Sequence, residues 1–91
     1  MKYTPRYTPS ARKDLGRIPP QMVKRITSKV AYYCSQQNPL RYAKKLSLPM
    51  LGEYRFRIGD WRVIFDVDKG GIVVVLLVLT VKHRKDVYRG L

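Results

Sequence analysis

Ninety-one residues suffice for one compact domain with one core and are too few for a binding domain beside a catalytic one, so binding and any chemistry must share a surface. Apolar residues at 45% and aromatics at 11% exclude the charge-rich class that stays disordered. Nineteen Lys and Arg against six Asp and Glu, a net charge of +13, force broad positive surface on any fold of this size. Nucleic acid is the first partner that such a surface suggests, because phosphate contacts release counterions, while an anionic membrane, an acidic protein or plain solvation compete with it.

Cys34 is the sole cysteine, so no intrachain disulfide can form and a reducing compartment is the simplest setting. Met1 to Pro9 holds no apolar run that could act as a signal peptide, and Ile72 to Val81 is too short to cross a bilayer as a helix. With no repeat or linker, the expectation is a single cytoplasmic domain over residues 1–91 with no membrane association.

In chain order, Lys2 to Tyr7 reads as a strand that Pro5 confines to a sheet edge. Thr8 and Pro9 then read as a helix N-cap and first helical residue, with the helix reaching about Arg17 and turning Ala11, Leu15 and Ile18 inward. After Pro19-Pro20 the spacing of Val23, Ile26, Val30, Tyr33 and Cys34 predicts the longest helix, stopped at Asn38-Pro39. Cys34 on that stripe is a buried small hydrophobe rather than a reactive thiol. Leu40 to Gly52 reads as irregular, with a turn at Pro49; its Arg41, Lys44 and Lys45 either reach a ligand's backbone or sit in a solvated loop.

From Tyr54 to Val67 the pattern switches to period two, and Gly59-Asp60 falls where a tight hairpin turns. That register puts Ile58 opposite Trp61, Arg57 opposite Arg62, Phe56 opposite Val63, Arg55 opposite Ile64 and Tyr54 opposite Phe65. One face is then apolar and packs on the helices, which gathers Arg55, Arg57 and Arg62 on the other. Like charges directly opposite one another are destabilising, and folding does not require them there. A guanidinium cluster of this kind suits an anion, phosphate above all.

The run from Ile72 to Val81 is apolar except for Thr80, so it is buried on both faces or covered in part by a partner. The tail from Lys82 to Arg89 brings basic residues, the single His83 and Tyr88 close to the hairpin. His83 among cations is either a proton carrier or an ordinary surface or core residue. Tyr88 either stacks on a base, orients a phosphate or packs over the sheet edge. Six scattered carboxylates and one histidine offer no motif for a divalent ion.

The segment Tyr54-Arg55-Phe56-Arg57-Ile58-Gly59-Asp60-Trp61-Arg62-Val63-Ile64-Phe65, followed by Val81-Lys82-His83-Arg84-Lys85-Asp86-Val87-Tyr88-Arg89, resembles the RelE branch of the RelE/ParE toxin superfamily. The resemblance implies an α+β fold in β-α-α-β-β-β order: a small antiparallel sheet of about four strands with two helices on one face. It also implies the toxin of a type II toxin-antitoxin pair, bound by a cognate acidic antitoxin. Its activity would be that of an endoribonuclease needing neither metal nor cofactor, an mRNA interferase that cuts mRNA in the ribosomal A site, against ribosomal RNA. There the substrate's 2′-hydroxyl attacks the adjacent phosphate, leaving a cyclic phosphate.

Carried over by motif, Arg55 and Arg57 fall at catalytic basic positions, Arg62 at a phosphate-binding one and Tyr88 at a terminal tyrosine. Lys44, Lys45, Lys82, Arg84 and Lys85 are the expected RNA contacts. Arginine cannot accept a proton at accessible pH, which leaves His83, then Glu53, then Lys82 as candidate bases. The alternative is a ParE-like toxin that inhibits DNA gyrase by protein contact without cutting RNA.

Overall fold

The computed structural model describes residues 3–47, 52–71 and 73–89, the last three of these in backbone only. Lys2, Pro49 and Ile72, expected above in strand, turn and strand, lie outside the described residues. The chain runs through β1 (Tyr3–Tyr7), α1 (Pro9–Leu15), α2 (Pro20–Ser35), a 3-10 turn (Pro39–Tyr42), β2 (Ala43–Lys45), β3 (Tyr54–Ile58), β4 (Trp61–Asp68), β5 (Val74–His83) and α3 (Arg84–Arg89). The strands form one sheet in the order β1-β5-β4-β3-β2.

The α+β class holds, with three departures from expectation. The described sheet has five strands rather than about four, because Ala43 to Lys45, read as irregular, pairs with β3. Three residues are too few to display an alternation, so only the partner strand reveals them. The sheet is also mixed rather than antiparallel, since β1 lies parallel to β5. A parallel pair needs a long crossover, and α1 and α2 lie in the chain between the two strands. Finally, the tail after β5 coils into α3 and packs against β4 and β5.

Local chemistry explains the elements. The Thr8 hydroxyl accepts from the Ala11 N–H at 3.1 Å with Pro9 at the first helical position, satisfying a donor that the helix start leaves free. Pro5 is tolerated because β1 is an edge. Gly59 has φ of 60° and no non-glycine described residue has a positive φ, so Gly59-Asp60 closes a type II′ turn whose twist suits a hairpin. The predicted β3–β4 register follows, pair for pair.

The apolar face of that hairpin meets the helices: Ala11, Ile18, Ile26, Val30 and Cys34 pack with Phe56, Ile58, Val63, Phe65, Leu76, Val78 and Val81. The sheet's other face is not bare. Ile64 is fully buried there, beneath Gly52, where a β-carbon would come within 2.6 Å of the Ile64 Cγ2 and 3.0 Å of the Leu79 Cδ1. Gly52 combines that close approach with a φ of 155°, so only glycine fits.

One irregularity governs the rest. Ile64 pairs with Thr80 but Phe65 pairs with Val78, so Leu79 is an extra residue in β5. A bulge shifts alternation by one position: before it Leu76 and Val78 face the core, after it Val81 does. The neighbouring chain holds this distortion. The Thr8 N–H and hydroxyl donate to the carbonyls of Val78 and Leu79, each at 3.0 Å. The Asp14 carboxylate accepts from the Thr80 hydroxyl at 2.5 Å and the Val81 N–H at 3.0 Å. No helix among the described residues is long and apolar enough to cross a membrane.

Two outcomes are expected. Asp14→Ala strips the bulge of its acceptor and leaves the Val81 N–H unpaired, lowering unfolding stability by about 1–3 kcal/mol, to be measured by urea denaturation. Cys34 is 2% exposed, and burial pushes its thiol up from 9.0 to about 11; Tyr7 is raised to about 12, by burial first and then by Cys34. Between pH 9 and 11 the unfolded chain therefore loses the Cys34 proton while the folded chain keeps it, so stability falls with rising pH, by on the order of 2 kcal/mol. In Cys34→Ala that alkaline loss begins only above about pH 10, where Tyr7 ionises in the unfolded chain, as denaturation curves across pH 7–11 will show.

Candidate functional site

Opposite residues in these ladders share a face, so the pairings give the layout directly. Arg57 stands opposite Arg62, and Arg62 opposite Lys82. Lys44 stands opposite Arg55, and Arg55 opposite Ile64. All lie on the side away from the core. The structure thus brings together Arg55, Arg57, Arg62, Lys44 and Lys82 from four strands. Lys45 pairs with Tyr54 on the core side of the exposed β2 edge, so the two neighbouring lysines part company.

Arg62 differs from the solvent-facing side chain that the alternation suggests. It is 3% exposed, and its Nη1 donates to the Gly59 carbonyl at 2.9 Å and the Trp61 carbonyl at 3.0 Å. Its Nε is buried without a hydrogen-bond partner. A guanidinium is therefore buried between two further cations in register, with neutral carbonyls as its bonded partners. Burial of a charge on such terms is costly.

His83 does not join this row. The Leu79 bulge places Lys82 beside Arg62 and turns His83 to the other side, opposite Trp61, whose ring it meets edge-on at 5.2 Å. Its Nδ1 accepts from the Lys85 N–H at 3.3 Å. It lines a cleft of about 210 Å³ with Asp14, Arg17, Trp61 and Asp86, remote in chemistry from the arginine face. Arg84 is tied to the hairpin turn: its N–H donates to the Asp60 carbonyl at 2.7 Å and its Nε lies 3.6 Å from the Asp60 carboxylate. Lys85 is exposed on α3, and the Tyr88 side chain lies outside the described residues.

The exposed part of the cationic face continues around the β2 edge. Arg41, Tyr42, Ala43, Lys44, Arg55 and Arg57 line an open groove of about 320 Å³. Among the described residues, four cations and no carboxylate border it. Exposed Arg57 belongs to both the groove and the row centred on buried Arg62, and so links them. Reading the chain alone leaves Arg41 as a loop residue and passes over Tyr42; the 3-10 turn that lifts both beside β2 carries no periodic signal of its own. Among the described residues, no three His, Cys, Asp or Glu side chains gather where they could hold a metal ion.

Comparison with known proteins fits this geometry. The family model for the ParE toxin of the type II toxin-antitoxin system parDE matches residues 6–88. Toxin RelG of Mycobacterium tuberculosis is 35% identical over 89 residues, spanning 98% of this chain and 99% of that protein. The RelBE2 toxin-antitoxin complex from Mycobacterium tuberculosis contains a chain matched at a TM-score of 0.70 and 32% identity, covering 92% of this chain and 100% of that one. The RelB-RelE antitoxin-toxin complex from Methanococcus jannaschii gives 0.64 and 25%, covering 92% and 95%. A cationic sheet face on this α+β frame, matched along nearly its whole length, makes this chain a type II toxin-antitoxin toxin of the RelE/ParE superfamily.

Proposed function

We propose that this toxin is a metal-independent endoribonuclease that cuts mRNA in the ribosomal A site. The observation that carries the reading is the row Arg57, Arg62, Lys82, with a buried guanidinium that has no carboxylate partner among the described residues. Folding alone disfavours such a row, and a phosphate group supplies what it lacks. In-line attack by a 2′-hydroxyl builds negative charge on the phosphate's oxygens, and preorganised cations stabilise that charge more than the ground state. Arg57 and Arg55 meet the phosphate from the groove, Arg62 from beneath, and Lys44 the adjoining backbone.

The proton acceptor is then sought on the arginine face. Lys82 stands opposite Arg62, and Glu53 precedes β3, its N–H fixed by the Asp66 carboxylate at 2.8 Å. His83, on the other side, serves instead with Trp61 to seat α3. Arg84 and Lys85 flank the turn, from which they contact ribosomal RNA, and Tyr88 on α3 is kept as the terminal tyrosine of the site.

The partner is an acidic antitoxin. The two complexes compared above each join a toxin to its antitoxin, and a net charge of +13 favours an acidic companion. Val75, Leu77 and Leu79 give it half-buried apolar surface on the face away from the helices.

A second reading has one observation in its favour: the matching family model is that of ParE toxins. On that reading the chain inhibits DNA gyrase by protein contact, and the arginine face is a docking surface.

Primer extension on translated message, with and without expression of the toxin, separates the two. The expected result is sharp breaks within codons; intact message together with inhibited supercoiling by purified gyrase would establish the second reading. Arg57→Ala is expected to slow cleavage by roughly 100-fold or more, the scale for removing one transition-state cation or donor. Arg62→Met is the more telling variant. Replacing a poorly partnered buried charge by an apolar chain of similar length is expected to leave the urea midpoint equal or higher, while cleavage falls by a similar factor. A stability loss as large as the activity loss would make Arg62 a structural residue only.

A further inference from the structure

An aromatic column leads out of the core to the rim of the cationic groove. Phe65 and Phe56 have ring centroids 4.5 Å apart, Phe56 and Tyr33 4.7 Å, and Tyr33 and Tyr42 stack at 4.6 Å with planes inclined by 17°. Phe56 and Phe65 are fully buried, whereas Tyr42 is 43% exposed. The ring at the end of the column is therefore backed by packed neighbours on its inner side and partly open to solvent. Tyr32, 52% exposed, meets it edge-on at 6.3 Å. Lys29 stands 5.8 Å and 5.7 Å from the ring centroids of Tyr32 and Tyr33, so positive charge continues past the groove onto α2.

Half-exposed tyrosines on a protein of this size need an explanation. Tyr42 lies within the lining of the groove that holds Arg41, Lys44, Arg55 and Arg57. A positively charged track that ends against a preorganised aromatic ring is the arrangement by which proteins hold single-stranded nucleic acid: cations follow the backbone while a base stacks on the ring. A double helix cannot use it, because its bases are already stacked on each other.

We propose that Tyr42 is a base-stacking subsite for single-stranded RNA. The strand passes from the phosphate at Arg57, along Arg55 and Lys44, around the β2 edge past Arg41, so that a neighbouring base lies on the Tyr42 ring with Tyr32 as its side wall. The inference rests on the RNA reading above and adds to it a grip on a nucleotide away from the reacting phosphate. Stacking does not discriminate among bases by hydrogen bonding, so the subsite sets affinity and the path of the strand more than sequence preference.

The test is fluorescence anisotropy with a labelled, unstructured 12-nucleotide 2′-O-methyl oligoribonucleotide, which binds without being cut, at several salt concentrations. Tyr42→Ala is expected to weaken binding about tenfold, within the range for loss of one stacked base, with the salt dependence unchanged. Tyr42→Phe and Tyr42→Trp keep parental affinity, since the ring and not the hydroxyl is used. Arg41→Ala instead lowers the slope of log affinity against log salt by about 0.7, one phosphate contact on a single strand. Parental binding by Tyr42→Ala, or an equal loss of binding to a duplex of the same sequence, overturns the subsite while leaving the cationic groove intact. Failure of the parent protein to bind the oligonucleotide overturns the subsite, while cleavage in the ribosomal A site stands or falls on the primer-extension result.

Discussion

A single extra residue in β5, held in place by the first helix, decides which side chains share a surface. Because alternation along a strand has period two, the bulge at Leu79 exchanges the faces of everything beyond it. Lys82 joins Arg62 and His83 leaves it. Thr8 and Asp14 stabilise the distortion by taking up the backbone groups that β1, ending at Tyr7, no longer pairs. The layout of cations on the far side of the sheet is thus anchored by hydrogen bonds made along the edge of β5.

The protein concentrates its electrostatic stress in one place. Its core is conventional, with aliphatic residues of two helices against the inner face of the sheet. The outer face instead aligns Arg57, Arg62 and Lys82 across three strands and buries the middle one. Natural sequences keep local arrangements of this kind where function requires them and compensate elsewhere. Here the compensation is visible in the apolar hairpin face and in the covering of Ile64 by Gly52, which together keep β3 and β4 in register despite the repulsion.

Fold by itself does not specify the chemistry. The outer surface of this chain is divided in two. An open groove with four cations and an aromatic rim occupies the β2 edge, and half-buried apolar residues of β5 lie toward the opposite side of the sheet, next to β1. The first suits a flexible polyanion. The second suits a protein partner, and the two can be occupied on one small domain because they lie at different strands of the same sheet.

Residues close in the chain determined much of this by themselves. The Thr8-Pro9 cap, the apolar stripe of α2, the Gly59-Asp60 turn and the pairing of Arg57 with Arg62 all depend on interactions across a few positions, and each is legible in the amino-acid order. The hairpin even announced its own residues' faces, because turn type and alternation are local properties. The parallel placement of β1, the existence of β2, the burial of Arg62, the turning away of His83 and the exposure of Tyr42 were decided by the tertiary structure alone. Each of these depends on contacts between segments far apart in the chain: Asp14 with Val81, Lys44 with Arg55, Tyr33 with Tyr42 and Phe56. No periodicity within a single segment can express which distant partner will cover it, or where a neighbouring strand will gain one residue.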